Sequence, residues 1–203
     1  ETNVKKYLGK ELYIYDVANE TNEVGVVRGL AWTSVGGDTL QIEVNVMPGK
    51  GEYKLTGKLG DVMKESAQAG ISYIRSISDR YHLEENYFEK HDVHIHIPEG
   101  AVPKDGPSAG ITMATAMLSA ITNHPVYANI AMTGEITLRG RVLPIGGLKE
   151  KILAAKMANI KTVLVPEKNK RDVAEISSEI LKNIQIVYVD NMDEVIERAF
   201  VKE

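Results

Sequence analysis

Ser108 is the residue of this chain best placed to do chemistry. It stands in Pro103-Lys104-Asp105-Gly106-Pro107-Ser108-Ala109-Gly110, bracketed by glycines and proline at the entrance to a strongly helical segment, 108–122. A helix start leaves backbone N–H groups without partners, and those amides can face a developing negative charge. Acyl transfer needs that pairing of a nucleophile with an oxyanion stabiliser. The plainer role for a serine at such a position is a helix N-cap.

A serine hydroxyl is a poor nucleophile at neutral pH and needs a base. Of the five histidines, His94 and His96 share one face of a strand just upstream, which brings a Ser–His pair or a metal site into view. Their alternation with Val93, Ile95 and Ile97 fits the solvated side of a strand instead, and no acidic ligand motif stands nearby. Lysine is the alternative base. Pro144-Ile145-Gly146-Gly147-Leu148-Lys149-Glu150-Lys151 repeats the plan of the serine segment, glycines followed by a helix. On a helical wheel Lys149 falls close to Lys156 in a solvated stripe, whereas Lys151 lies between Ala155 and Ala158 on a closely packed side. Desolvation there would disfavour the ammonium, at around 4 kcal/mol for a pKa drop large enough to yield a usable neutral amine. The wheel does not decide the matter alone, because this helix is apolar almost all round and most helical lysines are solvated.

These residues need a scaffold, and the pattern supplies a mixed one. Residues 24–33 and 39–46 have strand composition, with Gly36-Gly37-Asp38 as turn chemistry between them and Pro48-Gly49-Lys50-Gly51 as a second turn before a short strand at 53–55. Apolar positions at three- and four-residue steps predict a helix over 58–81, and 91–97 alternates as a half-buried strand does. After the serine helix, 131–137 and 141–145 read as a pair of strands joined around Arg139-Gly140. A helix to about residue 159, a strand at 162–165, a helix at 170–182, a strand at 184–189 and a helix at 192–200 complete the chain. The expected fold class is therefore α/β (mixed α+β), with N-terminal β-hairpins and C-terminal βαβα units on a mixed, partly parallel sheet. The first residues look like a helix tail, 1–12, ending near Gly9, followed by a polar linker, 13–23, and a domain over 24–203.

Composition narrows the function classes. The chain has 203 residues, 43% hydrophobic and 26% charged, enough for one good core. Its net charge is −4 with no block of five or more like charges, so neither nucleic acid nor an acidic membrane surface is an expected partner. The absence of cysteine removes disulfides, thiolate metal sites and a cysteine nucleophile, and suits a reducing cytosol. No apolar run is long enough to span a bilayer, and Asn19-Glu20-Thr21 reads as a chance glycosylation sequon.

The serine segment, Thr133-Gly134-Glu135-Ile136-Thr137-Leu138-Arg139-Gly140 and the run from Leu143 to Lys151 together resemble the Lon protease family. Gly29-Leu30-Ala31-Trp32-Thr33 and Gly36-Gly37-Asp38 resemble its N-terminal peptidase segments as well. The resemblance implies the proteolytic domain of a bacterial, ATP-dependent Lon of the soluble, cytoplasmic type, with residues 1–12 as the tail of a preceding ATPase module. It implies Ser108 as nucleophile, Lys151 rather than Lys149 as general base, and Thr133 as the hydroxyl that helps hold the lysine. Asp105 and Gly106 fall in the loop whose backbone amides would contribute to an oxyanion hole, and Trp32 is a candidate wall of the substrate groove, although a lone tryptophan in a strand more often serves packing. The implied reaction is peptide hydrolysis through an acyl-enzyme, without metal or organic cofactor in this chain. ATP and Mg2+ would serve the ATPase module, since no G-x-x-x-x-G-K-[ST] phosphate loop occurs here. Misfolded and short-lived regulatory proteins are the implied substrates and a homohexameric ring the implied assembly. The glycine and proline content of the serine loop suggests a closed resting form.

Two rival classes are weighed against this reading. A non-catalytic Lon-like ring scaffold, like that of a bacterial DNA-repair ATPase of related build, would be expected to lack the serine or the lysine, and both are present. A small-molecule kinase-like phosphate binder would also place glycines before a helix. The acidic balance, the Pro107-Ser108 pairing and the distant lysine segment count against it.

Overall fold

The computed structural model describes residues 21–33, 36–98 and 104–202. The expected helix tail over 1–12 and the linker up to residue 20 lie outside the described residues. The end of that linker is tied to the body. The Glu23 carbonyl accepts from the Val126 N–H at 2.9 Å, and the Asn22 side chain accepts from the Ala128 N–H at 2.9 Å.

Period-two apolar patterning builds one large sheet. Strand β1 (Val26–Thr33) pairs antiparallel with β2 (Gly36–Pro48), from Val26 opposite Glu43 to Thr33 opposite Gly36. β2 pairs antiparallel with β4 (His91–His96), and the short β3 (Tyr53–Thr56) lies parallel to β4 at the edge. On its other side β1 runs parallel to β5 (Ile130–Met132), which is followed by β8 (Thr162–Pro166) and β9 (Gln185–Val189), all parallel. The seven-stranded order is β3-β4-β2-β1-β5-β8-β9, a mixed sheet as the sequence implied.

Helices cover both faces. The helix α1 (Asp61–Ser76) turns Met63, Ala67, Gly70, Ile71 and Ile74 inward at three- and four-residue steps. A one-turn helix, α2 (Tyr87–Lys90), precedes β4. α3 (Gly110–Thr122) is buried almost all round, which is why its sequence shows so little amphipathic contrast; it packs in one core with α1, the sheet and α7 (Met192–Ala199). On the opposite face α4 (Leu148–Met157) sets Leu148, Ile152 and Ala155 against Leu30, Ala131, Val163 and Val165. Short helices α5 (Lys170–Ala174) and α6 (Ser178–Leu181) flank it.

Several boundaries differ from the sequence pattern, each for a local reason. Gly36-Gly37-Asp38, expected as the turn, begins β2. The second expected hairpin does not form, because β3 pairs with β4 rather than with β2. The helix expected over 58–81 starts at Asp61, since Lys58 takes a left-handed φ of 55°, and its end is a separate 3-10 turn, Ser78–Tyr81. The helix expected over 170–182 is interrupted between α5 and α6, where Ile176 turns into the core. Most consequential is the expected strand 131–137, which splits. β5 ends at Met132, and Glu135–Ile136 forms β6, paired in a separate two-stranded sheet with β7 (Val142–Leu143). Between them the backbone of Gly134 leaves the sheet and bonds to the serine segment, its N–H to the Ser108 carbonyl at 2.8 Å and its carbonyl to the Ile111 N–H at 3.1 Å. A Cβ at Gly134 would come within 2.8 Å of the Val142 side chain, so a larger residue here would have to push that side chain aside.

Candidate active site

Three elements converge where β5 ends. The 3-10 turn Pro107–Ala109 carries Ser108, α4 carries Lys151 in its first turn, and Thr133 follows β5. Ser108 does not cap α3. It lies inside the 3-10 turn, and its hydroxyl makes no hydrogen bond among the described residues. The turn is held through its backbone instead: the Ser108 carbonyl accepts from Gly134 N–H and, at 3.3 Å, from the Thr133 hydroxyl.

Lys151 is 3% exposed, and its Nζ donates to Thr133 Oγ1 at 3.1 Å. No carboxylate pairs with it among the described residues. Burial holds its pKa down at about 8, from an ordinary 10.5, because the ammonium loses hydration without gaining a counter-charge. Lys149, two residues away, is exposed, so the weak wheel argument points to the buried lysine. A second buried lysine, Lys104, is 8% exposed and donates to the Pro98 carbonyl at 2.8 Å.

A cavity of about 600 Å3 joins these groups. Ser108, Lys151, Asp105 and Lys104 line it together with the apolar side chains of Leu30, Leu40, Met63 and Ile145. Trp32 stands at 61% exposure and lines the same cavity, so this lone tryptophan is not a core residue. Its ring atoms rest against Gly147, where a Cβ would come within 2.9 Å and where φ is 65°. The Ser108 hydroxyl and the Lys151 amine share this space but are not hydrogen-bonded to each other. Thr133 contacts both residues, one through the lysine amine and one through the serine carbonyl.

Asp105 and Gly106 are occupied. One carboxylate oxygen of Asp105 accepts the Gly106 N–H at 2.8 Å and the Met63 N–H at 3.0 Å. Met63 is in the first turn of α1, whose own N-cap is Gly60 with no side-chain bond, so Asp105 caps α1 from a distant loop. Asp105 was legible as a loop residue, but the cap was not, because the pairing spans 42 residues. The Ile111 N–H at the start of α3 is likewise taken, by the Gly134 carbonyl, which leaves fewer free amides than a phosphate cradle presents.

His94 and His96 are elsewhere. Both rings bond Thr56 Oγ1, at 2.9 and 2.7 Å, on the face of β4 opposite Val93 and Ile95, and neither lines the cavity. Among the described residues no group of three or more His, Asp or Glu side chains could hold a metal ion. Nor is any helix among them long and apolar enough to cross a membrane.

A family model described as the Lon protease (S16) C-terminal proteolytic domain matches residues 1–202. The chain belongs to the Lon protease family. It is 65% identical over 201 residues to the Lon protease of Lachnoclostridium phytofermentans, covering 99% of this chain and 25% of that one. It is 57% identical over 202 residues to the Lon protease of Clostridioides difficile, 100% of this chain and 26% of that one. With Lon protease 1 of Bacillus subtilis it shares 54% identity over 203 residues, again 100% and 26%. The chain thus spans about a quarter of the length of the curated relatives it matches. The Lon match extends beyond the motifs quoted above, and it makes the cavity at the end of β5 part of a peptidase domain.

Proposed function

We propose that the chain is a serine endopeptidase in which Ser108 is the nucleophile and Lys151 the general base. The observation that carries this reading is Lys151 itself. It is a buried lysine with no carboxylate partner among the described residues, oriented by one hydroxyl and facing a cavity shared with a serine hydroxyl that bonds none of them. A neutral amine has one lone pair. With one N–H given to Thr133, the lone pair can turn toward the Ser108 hydroxyl.

Lys151 takes the Ser108 proton as the oxygen attacks a substrate carbonyl carbon. Backbone amides of the 105–110 segment, at the positive end of α3, hold the tetrahedral oxyanion. The resulting ammonium protonates the departing amine as the C–N bond breaks, leaving an ester on Ser108. Water then gives a proton to Lys151 and attacks that ester, and the lysine returns the proton to the serine oxygen as the acid leaves. The lysine carries every proton, so this chemistry calls for no metal or organic cofactor in the chain.

The engagement of Gly106 by Asp105, and the missing bond between Ser108 and Lys151, support a closed resting loop that rearranges when substrate is delivered. In the longer protein, a preceding ATPase module using ATP and Mg2+ would unfold and feed misfolded or short-lived regulatory proteins into a homohexameric chamber in the cytoplasm. Treating the full-length protein with a fluorophosphonate and mapping the adduct by mass spectrometry tests the dyad. The adduct is expected on Ser108, with labelling slowed at least tenfold in Lys151→Ala. An adduct confined to another residue, or equal rates in the variant, overturns the assignment.

A further inference from the structure

The segment between β7 and α4 is a thin wall with space on both sides. Pro144, Ile145, Gly146 and Gly147 line the cavity of about 600 Å3 that holds Ser108 and Lys151. Ile145, Gly146 and Gly147 also line a second cavity of about 300 Å3 behind them, toward Asp172, Glu175 and Ile176. A Cβ built on Gly146 would meet nothing within 4 Å. Packing alone does not fix a backbone placed like this, because a void supplies no contact atoms.

At Ile145 one side chain fixes it. Asn169 Oδ1 accepts the Ile145 N–H at 3.0 Å, and Asn169 Nδ2 donates to the Ile145 carbonyl at 2.8 Å. Among the described residues these are the only hydrogen bonds of the Ile145 backbone, so a single amide does what a neighbouring strand would do. Asn169 is 2% exposed and closes the 3-10 turn Glu167–Asn169 that follows β8. Its Nδ2 also donates to the Asp172 carboxylate, which settles the amide's orientation. Flipped, the amide would set N–H against N–H and its oxygen against two acceptors.

The geometry points to Asn169 as a positioning residue for the peptidase reaction, holding the 144–147 wall of the substrate groove in place for an extended chain. This rests on the peptidase reading above. Asn169 lines neither the serine nor the lysine, and Lys151 keeps its own anchor in Thr133. Loosening the wall therefore weakens substrate binding while leaving the base where it is.

The test compares full-length wild type with Asn169→Ala, Asn169→Asp and, as an exposed neighbour, Lys168→Ala. It reads fluorogenic-peptide kinetics, a count of active sites by fluorophosphonate titration, and hydrogen exchange of the peptide containing Ile145. Asn169→Ala is expected to raise KM roughly tenfold or more, keep kcat per active site within about threefold, and leave the basic limb of the pH–rate profile unmoved. Exchange at Ile145 should quicken. Asn169→Asp keeps the acceptor for the Ile145 N–H but loses both donors, so it should fall on the side of Asn169→Ala, with Lys168→Ala like wild type. An unchanged KM, or a loss confined to the number of active sites, overturns the positioning role. A wild type that cleaves nothing would sink the peptidase reading instead. In that case exchange decides here, since unaltered protection of Ile145 in Asn169→Ala would contradict the clamp.

Discussion

Thr133 joins Lys151 to Ser108: its hydroxyl oxygen accepts from the lysine Nζ at 3.1 Å and its hydroxyl donates to the serine carbonyl at 3.3 Å. One hydroxyl thus orients the proposed base and ties down the turn that carries the proposed nucleophile. Thr133→Val, which keeps the shape and removes the hydroxyl, is expected to lower kcat roughly 10²-fold, while Thr133→Ser retains most of it. Steady-state peptide hydrolysis at saturating substrate checks both.

Burial of Lys151 links activity and stability to pH in the same direction. Only the neutral amine accepts a proton, so kcat/KM is expected to rise with pH around the lysine's pKa of about 8. Between about 8 and the ordinary 10.5 the folded state binds fewer protons than the unfolded chain, so stability also rises across that window. Below it the full cost of burying the group is present. Lys151→Met, similar in volume and uncharged, should therefore stabilise the protein at pH 7 by roughly 2–3 kcal/mol, with the gain fading toward pH 10.5. Thermal melts across pH, beside a pH–rate profile, read both effects.

Asp105 caps α1 across 42 residues of sequence. Asp105→Ala is expected to cost about 1 kcal/mol of stability through the lost cap, and Asp105→Asn, which keeps the acceptor, less than half of that. Denaturant melts at pH 7 distinguish the two.

Trp32 lines the cavity at 61% exposure, so Trp32→Ala should change stability by less than about 1 kcal/mol yet raise KM several-fold. Measuring both in one variant separates a groove wall from a core residue.

The parts of this site that were legible in the sequence are those written in contiguous segments. Ser108 and Lys151 each sit in a glycine-marked helix entrance, and the parallel half of the sheet followed from strand–helix alternation. The unread parts are long-range. The run 131–137 reads as one strand interrupted only at Gly134, and what ends the strand there is the bonding of Gly134 to the serine turn, a partner 26 residues earlier in the chain. The Asp105 cap and the Asn169 clamp each pair a polar side chain with a distant backbone, and no periodicity marks such a residue. The helical wheel separated Lys149 from Lys151 only weakly, because the exposed face of α4 also carries the apolar Leu153 and Met157; burial against β1 and β5 makes the distinction.

The most direct measurement is peptide hydrolysis by the full-length protein carrying Ser108→Ala, Lys151→Ala or Lys149→Ala, with folding checked by thermal melts. Among the described residues the Ser108 hydroxyl has no partner to lose, so Ser108→Ala should melt close to wild type while turnover disappears. Lys151→Ala should be equally silent and Lys149→Ala close to full activity. Turnover that survives Ser108→Ala or Lys151→Ala in a folded protein would contradict the dyad.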